Sequence, residues 1–202
     1  MILAIDTSTA ACSAALFDAD GTCLAKRDEL IGRGHAERLV PMLDELLEQR
    51  KADRILVGVG PGSFTGIRVG IAAAQGLAIG WSCELGGMSS LALLASEFTN
   101  DGEVAAAVEG GHGELFVQQF DRGLVPVTNL LNLPAELAAK VVTADLVVGP
   151  GAAALVEARG AGDARGSFPS ASNALRLPEA LRSLDPRPIY ARAPDARARD
   201  AA

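Results

Sequence analysis

A glycine-rich turn between a buried strand and a helix constrains the fold of this chain more than any other feature. Residues 54–60 read RILVGVG, and such a nearly continuous apolar run is typical of a strand covered on both faces. The segment TGIRVGIAAAQGLAIG follows as a helix of small residues, with Thr65 as its expected N-cap. This strand–turn–helix order predicts an α/β fold.

The spacing of the glycines in this turn excludes two common nucleotide-binding motifs. GVGPGSFTG lacks the Gly-Lys-Ser/Thr that places an ammonium group on phosphates in a P-loop. Gly58, Gly60 and Gly62 are also mis-spaced for the G-x-G-x-x-G fingerprint of dinucleotide-binding folds. We therefore expect a turn that adopts positive φ angles and allows another backbone to approach closely.

A ridge of small residues is predicted on the helix that follows, because Gly66, Gly70 and Ala74 lie four residues apart. Glycine in a helix interior costs roughly 0.5–1 kcal/mol relative to alanine, which favours a packing role over a chemical one. We expect this ridge at or immediately beneath a partner interface, where Gly70→Leu would abolish association and spare the fold. The alternative is that the ridge packs on the chain's own sheet, in which case the same substitution destabilises the protein.

The remaining periodicity predicts two lobes. Apolar runs at residues 2–5, 12–17 and 23–30 indicate three antiparallel strands, and residues 35–50 have the spacing of an amphipathic helix that contains Pro41. Further on, SSLALLASEF predicts a helix capped by Ser89 or Ser90, EVAAAVEG and ELFVQQF a hairpin, PAELAAKV a short helix, and DLVVGPGAAALVEARG a second strand–turn–helix unit. We predict an N-terminal lobe over residues 1–100, a C-terminal lobe over 101–185 and a tail over 186–202 with a disordered end.

The turn DTST after the first strand is the strongest candidate for a chemical site. Asp6 and the hydroxyls of Thr7, Ser8 and Thr9 could hold a hydrated metal ion and a phosphate, as a vestigial phosphate-binding turn would. The same residue types are also ordinary turn formers, whose side chains bond their own backbone. Both interpretations stay open on spacing alone.

No other catalytic or metal-binding set stands out in the sequence. His35 and His112 are the only histidines and lie far apart, so we expect no metal and no cofactor. His35 reads as a helix-start residue and His112 as an exposed loop residue. The serines lack the G-x-S-x-G elbow of hydrolases, and no nucleophile is evident.

Charge and composition limit the classes of partner and the compartment. A net charge of −7 and one Trp, one Tyr and six Phe disfavour direct binding of RNA by the chain alone. Three scattered cysteines without a C-x-x-C pair fit reduced thiols in the cytoplasm. The N-terminus MILAID does not resemble a signal peptide, and the apolar stretch at residues 69–83 is too short to span a bilayer, so we expect no membrane anchor.

Several motifs taken together resemble one bacterial family. ILAIDTSTAACSAAL, GHAERLVPMLDELL, GVGPGSFTGIRVGIAAAQGLA, SSLALLA and PIYARAPDAR are similar, in order and spacing, to segments of the TsaB (YeaZ) family of tRNA threonylcarbamoyladenosine biosynthesis. The resemblance is dense over the first ~100 residues and sparse afterwards. It implies the two-lobed actin-like ATPase fold shared by sugar kinases, Hsp70 chaperones and actin, with RNase H-like mixed sheets flanked by helices.

The resemblance also implies a function and partners. It predicts a non-catalytic subunit that supports a TsaD-like catalytic subunit, with a TsaE-like ATPase, in modifying adenosine 37 of tRNAs that read ANN codons. Where the catalytic relatives carry paired metal-binding histidines, this chain has GGMSSLALLA, and VEGGHGELF departs from the family pattern in the second lobe. A stand-alone nucleotide-binding phosphotransferase is the alternative function, and a metallopeptidase would require a bound metal.

Partner contacts are expected on the helices that flank the glycine-rich turn. The resemblance makes these helices the docking surface for the TsaD-like subunit or for a second copy in a homodimer, with tRNA reached only through the complex. The residues predicted at this interface are His35, Leu39, Gly66, Ile67, Gly70 and Ala74.

Overall fold

Two five-stranded mixed sheets, each with helices packed on it, make up the fold. A computed structural model describes residues 1–111 and 113–189. The first sheet and its two long helices comprise, in chain order, β1 (Ile2–Asp6), β2 (Ala11–Phe17), β3 (Cys23–Leu30), α1 (His35–Leu47), β4 (Arg54–Gly58), α2 (Phe64–Trp81) and β5 (Glu84–Met88). Its strand order is β3-β2-β1-β4-β5.

The first sheet confirms the three antiparallel strands and the buried strand that precede the glycine-rich turn. β1 pairs antiparallel with β2 and β2 with β3, whereas β4 lies parallel to β1 and to β5. Alternate residues of β1 enter different cores: Leu3 and Ile5 pack with α1 and α2, while Ala4 packs on the opposite face. β1 is therefore buried on both faces, and the turn that follows it begins between the two hydrophobic cores.

The second sheet continues the chain after a short helix. The elements in this part of the chain are, in order, α3 (Ser90–Ala95), a 3-10 turn (Thr99–Asp101), β6 (Val104–Gly111), β7 (Glu114–Phe120), β8 (Leu131–Pro134), α4 (Ala135–Val141), β9 (Leu146–Val148), α5 (Ala152–Arg159) and β10 (Asp163–Arg165). The strand order is β10-β9-β6-β7-β8. The hairpin of β6 and β7 and the second strand–turn–helix unit are confirmed.

The segment after β10 returns to the first sheet. A 3-10 helix (Ala171–Arg176) and α6 (Glu179–Arg182) follow, and the Ala171 amide donates to the Ser13 hydroxyl at 2.6 Å. Leu184 exchanges two backbone hydrogen bonds with Gly87, and the Ile189 amide donates to the Val59 carbonyl at 2.9 Å. The boundaries predicted for the lobes stay a prediction, and the expected disorder at the tail's end lies outside the described residues.

Helix starts agree with the sequence except at one position, whereas α1 ends at Leu47 and α3 at Ala95, three residues before the ends predicted at residues 50 and 98. Ser89 caps α3 by accepting from the Ala92 amide, and His35 is the first residue of α1. Thr65, however, is not the N-cap of α2: the helix begins at Phe64, and the Ser63 hydroxyl accepts from the Gly66 amide at 3.2 Å. The earlier start arises because the Ser63 amide also donates to the turn after β1.

None of the helices in the described part of the chain combines the length and apolarity needed to cross a membrane.

Candidate functional site

The turn at residues 6–9 forms a closed hydrogen-bond network around one carboxylate. Asp6 is 1% exposed, and its Oδ1 accepts from the Ser8 amide at 2.9 Å and from the Ser8 hydroxyl at 2.7 Å. Its Oδ2 accepts from the hydroxyl of Ser90, the first residue of α3, at 2.7 Å. The Ser90 hydroxyl in turn accepts from the Gly60 amide at 3.2 Å. Both carboxylate oxygens are thus engaged by the chain itself.

Burial sets the charge preference of Asp6. Removal from water raises the pKa of the Asp6 carboxyl above its ordinary value, because the charged form loses hydration. Hydrogen bonds from Ser8 and Ser90 act in the opposite direction and lower the pKa, since they stabilise the carboxylate. Burial and the hydrogen bonds from Ser8 and Ser90 therefore act in opposite directions on the same carboxyl, and burial is the larger influence.

The glycine-rich loop lies directly against this turn. A Cβ added at Gly58 would come closer than 3.0 Å to the Asp6 carboxylate, and one added at Gly62 would come equally close to the Ser8 carbonyl. Gly60 and Gly62 have φ angles of 93° and 154°, as the sequence predicted for positions in this turn. The backbone of this loop thus packs directly on the turn at residues 6–9.

The other hydroxyls of the turn also bond within the chain. The Thr7 hydroxyl donates to the Gly66 carbonyl at 2.7 Å, and the Thr9 hydroxyl accepts from the Ala11 amide at 3.2 Å. Thr7, Ser8 and Thr9 are all buried. These contacts favour the structural interpretation of the DTST turn over a phosphate-binding one.

The ridge of small residues on α2 packs against the chain's own turn. A Cβ added at Gly66 would collide with the Thr7 carbonyl oxygen, and one added at Gly70 would collide with the Thr7 hydroxyl, both closer than 3.0 Å. The backbone that approaches the ridge is therefore internal, which is the alternative considered above. This corrects the expectation that Gly70→Leu would spare the fold, because a larger side chain there must displace residue 7.

The other residues predicted at the interface are also buried in the chain. Leu39 and Ala74 are 0% exposed, Ile67 is 4% exposed and His35 is 7% exposed, with its Nε2 3.3 Å from the Ala11 carbonyl oxygen. Their side chains pack beneath the outer surface of α1 and α2. The exposed positions of these helices belong to other residues.

Those exposed neighbours form an apolar face, here called the α1/α2 face. Val40 is 63% exposed and Ile79 is 81% exposed, and a groove of about 540 Å³ between the helices is bordered by Leu77 and Trp81. The residues predicted at the interface do not include these exposed side chains, although the composition of α2 indicates them. α2 is apolar around most of its circumference and carries a single charged residue, Arg68, and such a helix is usually covered on more than one side.

The described residues contain no group of three or more His, Cys, Asp or Glu side chains that could hold a metal ion. His112, predicted in an exposed loop, lies outside the described residues.

A protein-family model and solved structures match this chain. The family model described as TsaD, tRNA N6-adenosine threonylcarbamoyltransferase, matches residues 28–162. Together with two mixed sheets flanked by helices, this match makes the chain a member of the TsaD-related, actin-like ATPase superfamily. A solved structure of YeaZ from Pseudomonas aeruginosa superposes with a TM-score of 0.79 at 30% identity, covering 94% of this chain and 98% of that one. The chain belongs to the TsaB (YeaZ) family.

Further relatives agree with this assignment. Another solved structure, of an uncharacterized protein with similarity to peptidase YeaZ from Pseudomonas aeruginosa, has a TM-score of 0.79 and 32% identity over 95% of this chain and 99% of that one. TsaB of Escherichia coli is 40% identical over 129 residues, which are 60% of this chain and 55% of that protein. TsaB of Haemophilus influenzae is 38% identical over 60% of this chain and 54% of that protein. The matches thus span about half the length of these curated relatives.

Proposed function

We propose that the chain is a non-catalytic subunit of the complex that forms N6-threonylcarbamoyladenosine at position 37 of tRNAs reading ANN codons. Its partners are a TsaD-like catalytic subunit and a TsaE-like ATPase. The single observation that carries the non-catalytic role is the closed turn at residues 6–9. The names of the TsaB relatives supply the pathway.

The closed turn argues against phosphoryl transfer by this chain. Both oxygens of Asp6 accept hydrogen bonds from Ser8 and Ser90, and the backbone at Gly58 and Gly62 is in contact with the same turn. Phosphoryl transfer needs an open site in which a metal ion and donor groups meet the phosphate. Because the turn is filled by its own loop, a scaffolding role fits better than the alternative of a phosphotransferase.

The α1/α2 face is the proposed docking surface for the TsaD-like subunit. It combines exposed Val40 and Ile79 with a groove bordered by Leu77 and Trp81, and exposed apolar clusters of this kind are typical of protein interfaces. In isolation the same face would pair two copies of the chain. The buried residues proposed above, from His35 to Ala74, support this surface from beneath.

The partners also supply the contacts to tRNA in this proposal. A chain with net charge −7 repels a phosphate backbone over most of its surface, so basic surface on the other subunits must provide the affinity. We further propose a cytoplasmic location, which the free cysteines Cys12, Cys23 and Cys83 support.

Reconstitution tests this function. Purified TsaD-like and TsaE-like subunits from the same source, unmodified tRNA, and the threonylcarbamoyl donor are incubated with and without the chain, and modified adenosine is quantified by mass spectrometry. We expect modification only when the chain is present and no modification by the chain alone. Equal modification in its absence, or modification by the isolated chain, would contradict the proposal.

Replacing Ile79 by aspartate tests the docking surface. Because the side chain is 81% exposed, the free energy of unfolding should change by less than about 0.5 kcal/mol. A charge buried without a partner in an interface should weaken association with the TsaD-like subunit by about a hundredfold, measured by isothermal titration calorimetry. Val127→Asp is the matched control, since Val127 is 51% exposed but lies after β7, away from α1 and α2. Unchanged affinity for Ile79→Asp, or equal loss for Val127→Asp, would rule out this surface.

A further inference from the structure

A second cavity, of about 440 Å³, lies where the end of α3 meets the turn after β7. Two arginines, Arg122 and Arg176, line it together with Thr99 and Asn100. Among the described residues, no Asp or Glu borders this cavity. It shares no residue with the turn at residues 6–9.

Arg122 and Arg176 differ from several other arginines of the chain because their guanidinium groups form no ion pair among the described residues. Arg38 pairs with Glu29 at 2.6 Å, and Arg54 and Arg182 both pair with Glu179. Within residues 1–111 and 113–189, neither Arg122 nor Arg176 has a hydrogen-bond or ion-pair partner for its guanidinium group. Two unpaired guanidinium groups around one cavity leave unused hydrogen-bond donors, and Arg176 also borders a neighbouring groove whose lining includes Asp28, Glu29 and Glu97.

The backbone segments that carry both arginines are anchored to the fold. Asp121 Oδ1 accepts from the amides of Gly123 and Val125, each at 2.8 Å, which closes the turn that presents Arg122. Leu124 in that turn has a φ angle of 59°, and its side chain is only 4% exposed, so the core anchors the turn. Arg176 ends the 3-10 helix at Ala171–Arg176 and is followed by buried Leu177. Because the backbone is already anchored, ligand binding orders only the two arginine side chains and not the segments that carry them.

We propose that this cavity binds a phosphate-type oxyanion. Arg122 and Arg176 provide the charged donors, because the planar guanidinium fork matches two oxygens of a phosphate group. Thr99 and Asn100 provide neutral donors. The volume lies within the range of roughly 300–1,000 Å³ that is common for small-ligand sites. The same chemistry would recognise a free phosphate ester or a phosphate of an RNA backbone.

Titration of the full chain with inorganic phosphate tests the site. Isothermal titration calorimetry of the native protein should show saturable binding, weakened about tenfold or more in both Arg122→Gln and Arg176→Gln, because each loses a charged hydrogen bond. Arg33→Gln is the matched control, since Arg33 is exposed in the loop before α1 and lies outside the cavity. Thermal melting of all three variants verifies that they remain folded.

Two competition experiments distinguish the sources of the phosphate. If ADP competes with inorganic phosphate and a tRNA transcript does not, the site takes a small phosphate ester. If the transcript competes and its binding at low salt weakens in both variants, the site takes an RNA phosphate. Either result supports the oxyanion site. The proposal is overturned if inorganic phosphate, ADP and the transcript all fail to bind saturably, or if Arg33→Gln weakens binding as much as the cavity variants do.

Discussion

Gly66→Ala is expected to lower the free energy of unfolding by about 3 kcal/mol, although alanine is the better helix former. The added Cβ would come closer than 3.0 Å to the Thr7 carbonyl oxygen, which is backbone and cannot rotate away. Relief requires α2 to move from β1, and this movement also breaks the hydrogen bond from the Thr7 hydroxyl to the Gly66 carbonyl. Urea denaturation followed by circular dichroism measures the loss.

Gly76→Ala is the matched control for this prediction. Gly76 lies in the same helix, but nothing lies within 4 Å of an added Cβ, so helix propensity alone should stabilise the protein by roughly 0.5–1 kcal/mol. The two substitutions are chemically identical and should have opposite signs. If Gly66→Ala matches Gly76→Ala, the close contact between α2 and the turn is wrong.

The strands and helices with strong periodicity could be predicted from the sequence. α1 and α2 have long apolar patterns, and β4 reads as a buried strand, because burial on one or both faces dictates residue type at every turn of these elements. β8 and β10, each of three or four residues, were not predicted. Strands this short owe their existence to pairing with a neighbour that is distant in sequence, and no local pattern encodes that pairing.

For the candidate site, the residue types could be predicted from the sequence, but the contacts between distant segments could not. The residue types of the DTST turn and the glycines of the loop were visible, and so was the alternative that the turn bonds itself. Two contacts could not be predicted from the sequence. The hydroxyl of Ser90, 84 positions from Asp6, donates to the second carboxylate oxygen, and Thr7 packs against the small residues of α2. The same small residues suit an external and an internal partner equally well, and tertiary packing alone decides between them.

Asp6 offers the sharpest test of whether the turn is structural or chemical. Asp6→Ala should cost about 3 kcal/mol of unfolding free energy, because the Ser8 amide and the hydroxyls of Ser8 and Ser90 lose their acceptor inside the protein. Asp6→Asn keeps an oxygen for Ser8 and presents an amide to Ser90, so at neutral pH it should be at least as stable as the native chain. Urea denaturation of the two variants and the native chain gives these differences.

The dependence on pH follows from the raised pKa of Asp6. Burial makes the folded state hold the Asp6 proton more tightly than the unfolded state, whose pKa is near 3.8. The contribution of this group to stability is therefore complete below pH 3.8 and is lost as the pH rises through the higher pKa of the folded protein. Carboxyls with lowered pKa values, such as Glu29 and Glu179, have the opposite dependence, but they are common to the native chain and the Asn variant.

The difference between the native chain and Asp6→Asn therefore isolates Asp6. The stability of the variant relative to the native chain should increase as the pH is raised from 3.5 to 8. If Asp6 were solvated, its pKa would be the same in the folded and unfolded states, and the difference between the two proteins would not change with pH. The same variant should support full tRNA modification in the reconstituted complex, because asparagine keeps the acceptor for Ser8 and can contact Ser90 with the donor and acceptor reversed. A carboxylate that held a metal ion or activated a nucleophile would lose its chemistry on amidation. Loss of modification by a stably folded Asp6→Asn variant would thus assign the turn a catalytic role and reject the structural one.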